Sequence, residues 1–163
     1  MAKIIDGKAI AAETRAKAAA ETAELKKKGI VPGLAVVLVG NDPASRTYVT
    51  HKEKDCAACG IYSEEYALSA STRQEELLSL VRSLNQKTNI HGILVQLPLP
   101  AGLDSQAVIE TIDPRKDVDA FHPSNVGRIM IGNYHFVPCT PAGVLELLHH
   151  ENIPVEGKNC VVV

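Results

Sequence analysis

Two side chains four residues apart, Tyr48 and Lys52, are the first candidates for chemistry in this chain. On a helix that spacing puts them on one face, and Cys56 and Cys59 continue the stripe, so the pattern predicts a face turned inward. A lysine there is unusual, because an unpaired buried ammonium is costly. Where it occurs, burial depresses the amine's pKa and makes it a usable general base or acid. The other reading is a lysine at the helix margin whose stem packs while its ammonium reaches water. Gln96 follows Gly92-Ile93-Leu94-Val95 in the string GILVQLPLP. An amide in that setting needs a partner: a ligand, Lys52 or nearby backbone. Asp117 and Asp119 alternate around Val118 in KDVD, and in an extended segment both would point one way. Such a pair could hold a divalent cation, a weak signal without a third ligand. One carboxylate could instead accept two hydrogen bonds from an amino-heterocycle, or both could cap a loop.

Other motifs carry less. Cys56-Ala-Ala-Cys59 has CxxC spacing, but a redox CxxC opens a helix directly after a strand, where the helix N-terminus lowers the thiol pKa. This one falls late in its helix. A zinc site would need two more ligands; Cys139 and Cys160 do not repeat the spacing, and the six histidines show no ligand-like pair. Ser45 has no His/Asp arrangement to make it a nucleophile and is read as a helix cap or a substrate contact. Neither GxGxxG nor a P-loop occurs.

These residues must be positioned by alternating helices and strands. Lys8 to Lys28, rich in Ala, Glu and Lys, predicts a helix stopped at Gly29. The apolar run Leu34 to Val39, set between Pro32-Gly33 and Gly40-Asn41-Asp42-Pro43, predicts a strand buried on both faces. A helix over about Ala44 to Ala58, a strand over Ile61 to Leu68 and a helix opened by a Thr72/Glu75 capping box and running through Leu84 follow. Gly92 to Leu97 predicts a second buried strand, ended by Pro98 and Pro100, and Asp104 to Ile112 a helix. Asp113 to Pro138 has weak periodicity and reads as a long, functional loop. Thr140 and Pro141 supply an N-cap and N1 proline for a helix through His149, and Lys158 to Val163 reads as the start of a strand. The fold class is therefore α/β, a three-layer sandwich with a mostly parallel sheet. Ligands in such folds sit at the carboxyl ends of strands, where Tyr48, Lys52 and Gln96 fall. A chain ending inside an apolar strand needs that strand to be an edge, or more protein after Val163.

The 163 residues suit one domain, or one and a fraction. A formal net charge of -2 gives no broad basic field for nucleic acid or anionic membrane, and Lys26-Lys27-Lys28 reads as a solvated helix end. With no apolar run long enough to span a bilayer and no signal peptide, a cytoplasmic location is the default expectation. The four cysteines are expected to be free thiols.

The strings VGNDPASRTYVTHKEKDCAACGI, GILVQLPLP, PRKDVDAFHPSNVGR and PCTPAGVLELL, in this order and spacing, resemble the bifunctional methylenetetrahydrofolate dehydrogenase/methenyltetrahydrofolate cyclohydrolase family. The resemblance runs from Ile5 to Val163. It implies an N-terminal catalytic domain of the amino-acid-dehydrogenase-like type over 1–150, with 151–163 beginning a Rossmann-type nucleotide domain cut off after its first strand. It also implies a folate substrate held between the two domains, NADP as cofactor of the intact enzyme and a homodimer in the intact protein. Lys52 falls on the family's catalytic lysine, Gln96 on the glutamine that works with it, and Tyr48 on the tyrosine that stacks on folate. Asp119 falls on the aspartate that anchors the pterin, with Leu97, Pro98, Ser45 and Cys139 at or near the substrate cleft. The family has glycine where this chain has Ala120, so a positive φ there would strain the alanine. The expected reactions are oxidation of 5,10-methylenetetrahydrofolate and hydrolysis of the methenyl product to 10-formyltetrahydrofolate, the first being beyond this length of chain. A non-catalytic binding or assembly domain of the same fold is the alternative.

Overall fold

A seven-residue apolar strand organises the structure. The run β1 (Gly33–Val39) alternates its side chains between two faces, and all but Leu34 are buried. Only a strand covered on both sides tolerates such a sequence. It pairs in parallel with β2 (Tyr62–Leu68) on one edge and with β3 (Gly92–Val95) on the other, giving the order β2-β1-β3. The computed structural model describes residues 4–161, and within them the sheet is wholly parallel.

Helices cover both faces. One bears α3 (Gln74–Gln86) and α4 (Ser105–Thr111), whose Leu77, Leu78, Val81, Leu84 and Val108 pack with Ala35, Val37, Val39, Ile93 and Val95. The other face carries Val36, Leu38 and Leu94 against Val49 of α2 (Pro43–Cys59). Behind α2 lies α1 (Gly7–Lys27), and Cys59 Sγ meets the Arg15 carbonyl of α1 at 3.6 Å. Cys56 and Cys59 are thus buried helix-contact residues, and desolvation pushes the Cys56 thiol up, away from the reactive thiolate. Chain order explains the layering. The chain leaves β1 through α2 toward one neighbour, then leaves β2 through α3 toward the other, so two parallel crossovers of the same hand place their helices on opposite faces. The direction of winding reverses at β1, and the crevice at the carboxyl ends of β1 and β3 is the switch point where ligands bind in open α/β sheets.

Four expectations shift. The box that opens α3 is one residue later: Glu76 accepts from the Arg73 N–H and guanidinium, while the Thr72 N–H goes to Ser69. The last helix, α6 (Cys139–His150), starts with Pro138 in the cap position, so Thr140 lies inside the first turn and Pro141 simply lacks an N–H that would have had no helical partner. The stretch read as a long loop contains α5 (Pro123–Met130). Its one buried residue is Asn125, so no apolar stripe announces it. Residues 158–161 form no strand; Val162 and Val163 lie outside the described residues.

On the β2 edge, Glu64 accepts from Lys87 Nζ at 2.6 Å and from the hydroxyls of Tyr66 and Tyr62. These hydrogen bonds, Lys87 first, hold its pKa down to about 2 from an ordinary 4.5. A depressed carboxylate stabilises the fold above its unfolded pKa and loses that contribution as pH falls through the folded one. Glu64→Gln should therefore be less stable than the parent at pH 7, with the gap narrowing from pH 4.5 toward 2; urea midpoints at three pH values test this, and a gap independent of pH would show that the ionised carboxylate contributes nothing.

Candidate active site

The turn after β1 sets the first side of the site. Gly40 turns the chain at φ 84°, Asp42 caps α2 by accepting the Ser45 N–H at 2.7 Å, and Pro43 begins the helix. Ser45 is 3% exposed, so the structure gives it to the cap and the core and not to the crevice. Val49, Cys56 and Cys59 form the inward stripe with it. Lys52 lies at the margin of that stripe and is half-buried. Tyr48, expected to face inward, is 61% exposed and stands beside the crevice with Lys52 Nζ 5.6 Å from its ring centroid. Tyr48 and Lys52 lie along one margin of the buried stripe, and the mouth of the crevice leaves Tyr48 uncovered.

The second side comes from the end of β3. The Gln96 N–H donates to the Val37 carbonyl at 2.8 Å, continuing the β1–β3 pairing by one bond. Its side-chain amide donates from Nε2 to the Leu97 carbonyl at 2.9 Å, and Lys52 Nζ donates to its Oε1 at 3.4 Å. The Leu97 contact takes the amide N–H₂, so the oxygen is the end presented to the lysine. The peptide bond between Leu97 and Pro98 is cis.

The third side is the KDVD turn. Asp117 and Asp119 do not point the same way, because the segment is extended only at Asp117, which bridges Ile93, and then turns. Asp117 is buried and hydrogen-bonded within its own loop. Asp119 faces the crevice; burial first raises its carboxyl pKa, Lys52 lowers it and Asp117 raises it further. Lys52, Leu94, Val95, Gln96, Leu97, Asp119 and Phe121 line a cavity of about 250 Å³. Four predicted residues, Lys52, Gln96, Leu97 and Asp119, are thus brought together, Tyr48 stands next to them, and Pro98 and Ser45 are not on the wall. Phe121 was not anticipated; an aromatic two residues past Asp119 was the available signal. Cys139, whose thiol pKa is raised by desolvation first and by the Asp119 charge second, lies within electrostatic reach of Lys52 and Asp119. A larger cleft of about 780 Å³ between α1 and α6 includes Cys139 on its rim but none of the lysine, glutamine and aspartate set.

Ala120 has φ 57° and is fully buried. A left-handed conformation costs an L-residue about 1–2 kcal/mol. Ala120→Gly relieves that but removes a buried methyl worth about 0.8 kcal/mol and adds about 0.4–1 kcal/mol of unfolded-chain entropy. Its stability should stay within about 1 kcal/mol of the parent, whereas Ala120→Val, β-branched in a left-handed and filled position, should lose more than about 2 kcal/mol. Thermal unfolding of both variants checks the pair; a tolerated valine would mean that the loop has another backbone conformation open to it.

The resemblance gives NADP to the intact enzyme, with its main site outside this length of chain. The helix that follows β1 has the Asp42 carboxylate at its N-terminus, its pKa lowered by hydrogen bonds from the Ser45 backbone and hydroxyl, so a phosphate there would meet like charge. No group of three His, Cys, Asp or Glu side chains among the described residues is arranged to hold a metal ion. No helix among them is long and apolar enough to cross a membrane.

Residues 5–119 match the family described as tetrahydrofolate dehydrogenase/cyclohydrolase, catalytic domain. The chain is 56% identical over 162 residues to the bifunctional protein FolD of Ruminiclostridium cellulolyticum, covering 99% of this chain and 57% of that protein. Its structure superposes on the bifunctional FolD methylenetetrahydrofolate dehydrogenase/cyclohydrolase of Campylobacter jejuni with TM-score 0.93 and 47% identity, over 96% of this chain and 56% of that one. The Trypanosoma brucei FolD dehydrogenase-cyclohydrolase, solved with NADP cofactor and inhibitor, superposes with TM-score 0.92 and 39% identity, over 96% and 54%. The chain thus spans a little over half the length of the relatives it matches, and by sequence, fold and the crevice at its switch point it belongs to the tetrahydrofolate dehydrogenase/cyclohydrolase family, whose catalytic domain it carries.

Proposed function

We propose that this chain binds a reduced folate in the crevice between α2, β3 and the 117–122 turn, and that it carries the proton-transfer residues for hydrolysis of 5,10-methenyltetrahydrofolate to 10-formyltetrahydrofolate. The observation that carries this reading is the Lys52 ammonium, held at 3.4 Å from an amide oxygen whose orientation is set by backbone, in a cavity that also receives Asp119. Tyr48 offers an open ring face beside that lysine for a flat heterocycle. Asp119 supplies two acceptor oxygens to the adjacent N–H donors of a pterin.

The chemistry follows from that placement. Lys52, acting as general base, takes a proton as water attacks the one-carbon bridge of the methenyl cation. The resulting hydroxyl adduct collapses to a formyl group on N10 as the bond to N5 breaks, its hydroxyl proton leaves to solvent, and Lys52 returns its proton to N5. The Gln96 oxygen accepts from the lysine throughout and keeps the Lys52 amine aimed into the cavity. Leu97 and Phe121 give the cavity apolar lining.

We assign NADP-dependent oxidation of 5,10-methylenetetrahydrofolate, and the homodimer, to a longer protein in which this domain is joined to a nucleotide domain beginning in 151–163; a cytoplasmic location is part of the same proposal. The test is decay of the 5,10-methenyltetrahydrofolate absorbance with residues 1–163 and no nucleotide. Decay above buffer is expected. If decay is absent here and also in a chain extended beyond Val163, the proposed activity is wrong.

A further inference from the structure

The loop that presents Asp119 is closed by a buried polar clamp. Asp117 is 2% exposed. Its Oδ2 accepts from the His122 N–H at 2.8 Å and from Asn125 Nδ2 at 2.9 Å. The same Asn125 amide donates to the Pro114 carbonyl at 2.8 Å. Asn125 therefore ties the segment before the turn to the carboxylate at its start, and Asp117 ties that carboxylate to the residue at its end. On the sheet side, the Ile93 N–H donates to the Lys116 carbonyl at 2.7 Å, so the start of the turn is anchored to β3. Val118 packs closely over Gly92, where an added Cβ would come within 2.6 Å of Val118 Cγ1. Asp119 and Ala120 form the apex between these fixed points.

Stability alone does not account for this clamp. A buried carboxylate is a poor stabiliser, because desolvation offsets much of what its hydrogen bonds return, and apolar residues of similar shape often serve a fold as well or better. Asn125 is also the one buried residue of α5. What an apolar replacement would not supply is direction: a carboxylate accepting from two fixed donors sets where the intervening turn goes.

We propose that Asp117 and Asn125 are positioning residues for folate recognition, acting through Asp119 by holding the 117–122 turn in the one arrangement that aims its carboxylate into the Lys52–Gln96 cavity. The proposal rests on the reading of Asp119 as the carboxylate that binds the pterin.

A double-mutant cycle separates action through Asp119 from a general loss of structure. The ligand is 5-formyltetrahydrofolate, titrated by calorimetry into residues 1–163 and into Asn125→Ala, Asp119→Asn and the double variant. Each single change is expected to weaken binding about tenfold, and the double also about tenfold rather than about a hundredfold, because the clamp has nothing left to position once Asp119 cannot accept two bonds. Asp117→Asn, which keeps an acceptor oxygen, is expected to retain most of the affinity that Asp117→Ala loses. Should Asn125→Ala fail to fold, Asn125→Ser, too short to reach both partners but able to hold water, takes its place in the cycle. Additive losses, or an Asn125 variant that binds like the parent while Asp119→Asn does not, would overturn the proposal. A parent chain that does not bind the ligand would overturn the folate reading, and the clamp's role with it.

Discussion

Lys52→Met should lower the rate of 5,10-methenyltetrahydrofolate hydrolysis by about 10²–10⁴-fold, the usual contribution of a positioned acid or base. Methionine keeps the unbranched stem that packs at the margin of the α2 stripe and removes only the group that carries protons. Its contacts with Gln96 and with the Tyr48 ring are the polar ones lost. The Gln96 oxygen borders a cavity and is open to water, so the variant's thermal midpoint should stay close to the parent's. Affinity for 5-formyltetrahydrofolate should fall far less than the rate, because the pterin contact is assigned to Asp119 and the stacking face to Tyr48. Rates and affinities measured on the same preparations separate these effects. A Lys52→Met chain that hydrolyses the methenyl cation at the parent rate would remove the lysine from the mechanism. A loss of rate matched by an equal loss of affinity would make Lys52 a binding group instead.

Gly33→Ala should destabilise the fold by about 3 kcal/mol or more, at the upper end of what overpacking does. A Cβ on Gly33 would lie 2.0 Å from the carbonyl oxygen of Asn89 and 3.1 Å from its carbonyl carbon. Those atoms are backbone and have no rotamer to give. They also belong to the segment that enters β3, where the Gly33 N–H donates to His91 Nδ1 at 3.1 Å and the His91 N–H donates to the Gly33 carbonyl at 2.8 Å. Making room for the methyl separates β1 from β3 at their amino ends and strains the seat of Ile90, which is fully buried. The site lies at the opposite, carboxyl end of both strands, so the fraction still folded should bind 5-formyltetrahydrofolate with nearly the parent affinity. Urea unfolding followed by circular dichroism gives the first quantity and calorimetry the second. A variant within about 0.5 kcal/mol of the parent, the range of ordinary surface changes, would contradict the close approach.

How legible the molecule was depends on which force sets each feature. The run Leu34 to Val39 named its own environment, because a strand apolar at every position is stable only with both faces covered. The helix after it was equally plain, with an aspartate, a proline and a closing Gly60 in the left-handed conformation at φ 72°. The spacing of Tyr48 and Lys52 on that helix, and Gln96 at the end of the second buried run, placed three candidate residues at one end of the sheet from local pattern alone. Helix α5 escaped because periodicity reads apolar burial, and its single inward residue is an asparagine held by hydrogen bonds. The turn at Asp117 and Asp119 escaped for a related reason. An alternating pair implies a shared direction only while the chain stays extended, and the chain turns directly after the Asp117 bridge.

The sequence by itself therefore determined the layers, the parallel pairing and the family, since these follow from hydrophobic period, turn chemistry and the order of its motifs. Only the tertiary structure decided which side of each candidate faces the crevice. It put Ser45 into a cap and the core, left Tyr48 open at the mouth, and divided two neighbouring aspartates between a clamp and a cavity. Those outcomes depend on packing and on side-chain hydrogen bonds, Asp42 with Ser45 and Asp117 with His122 and Asn125, that no periodicity reports. Gly33 shows the same limit: between a proline and a strand it reads as a turn residue, and its need for no side chain comes from a carbonyl fifty-six residues later.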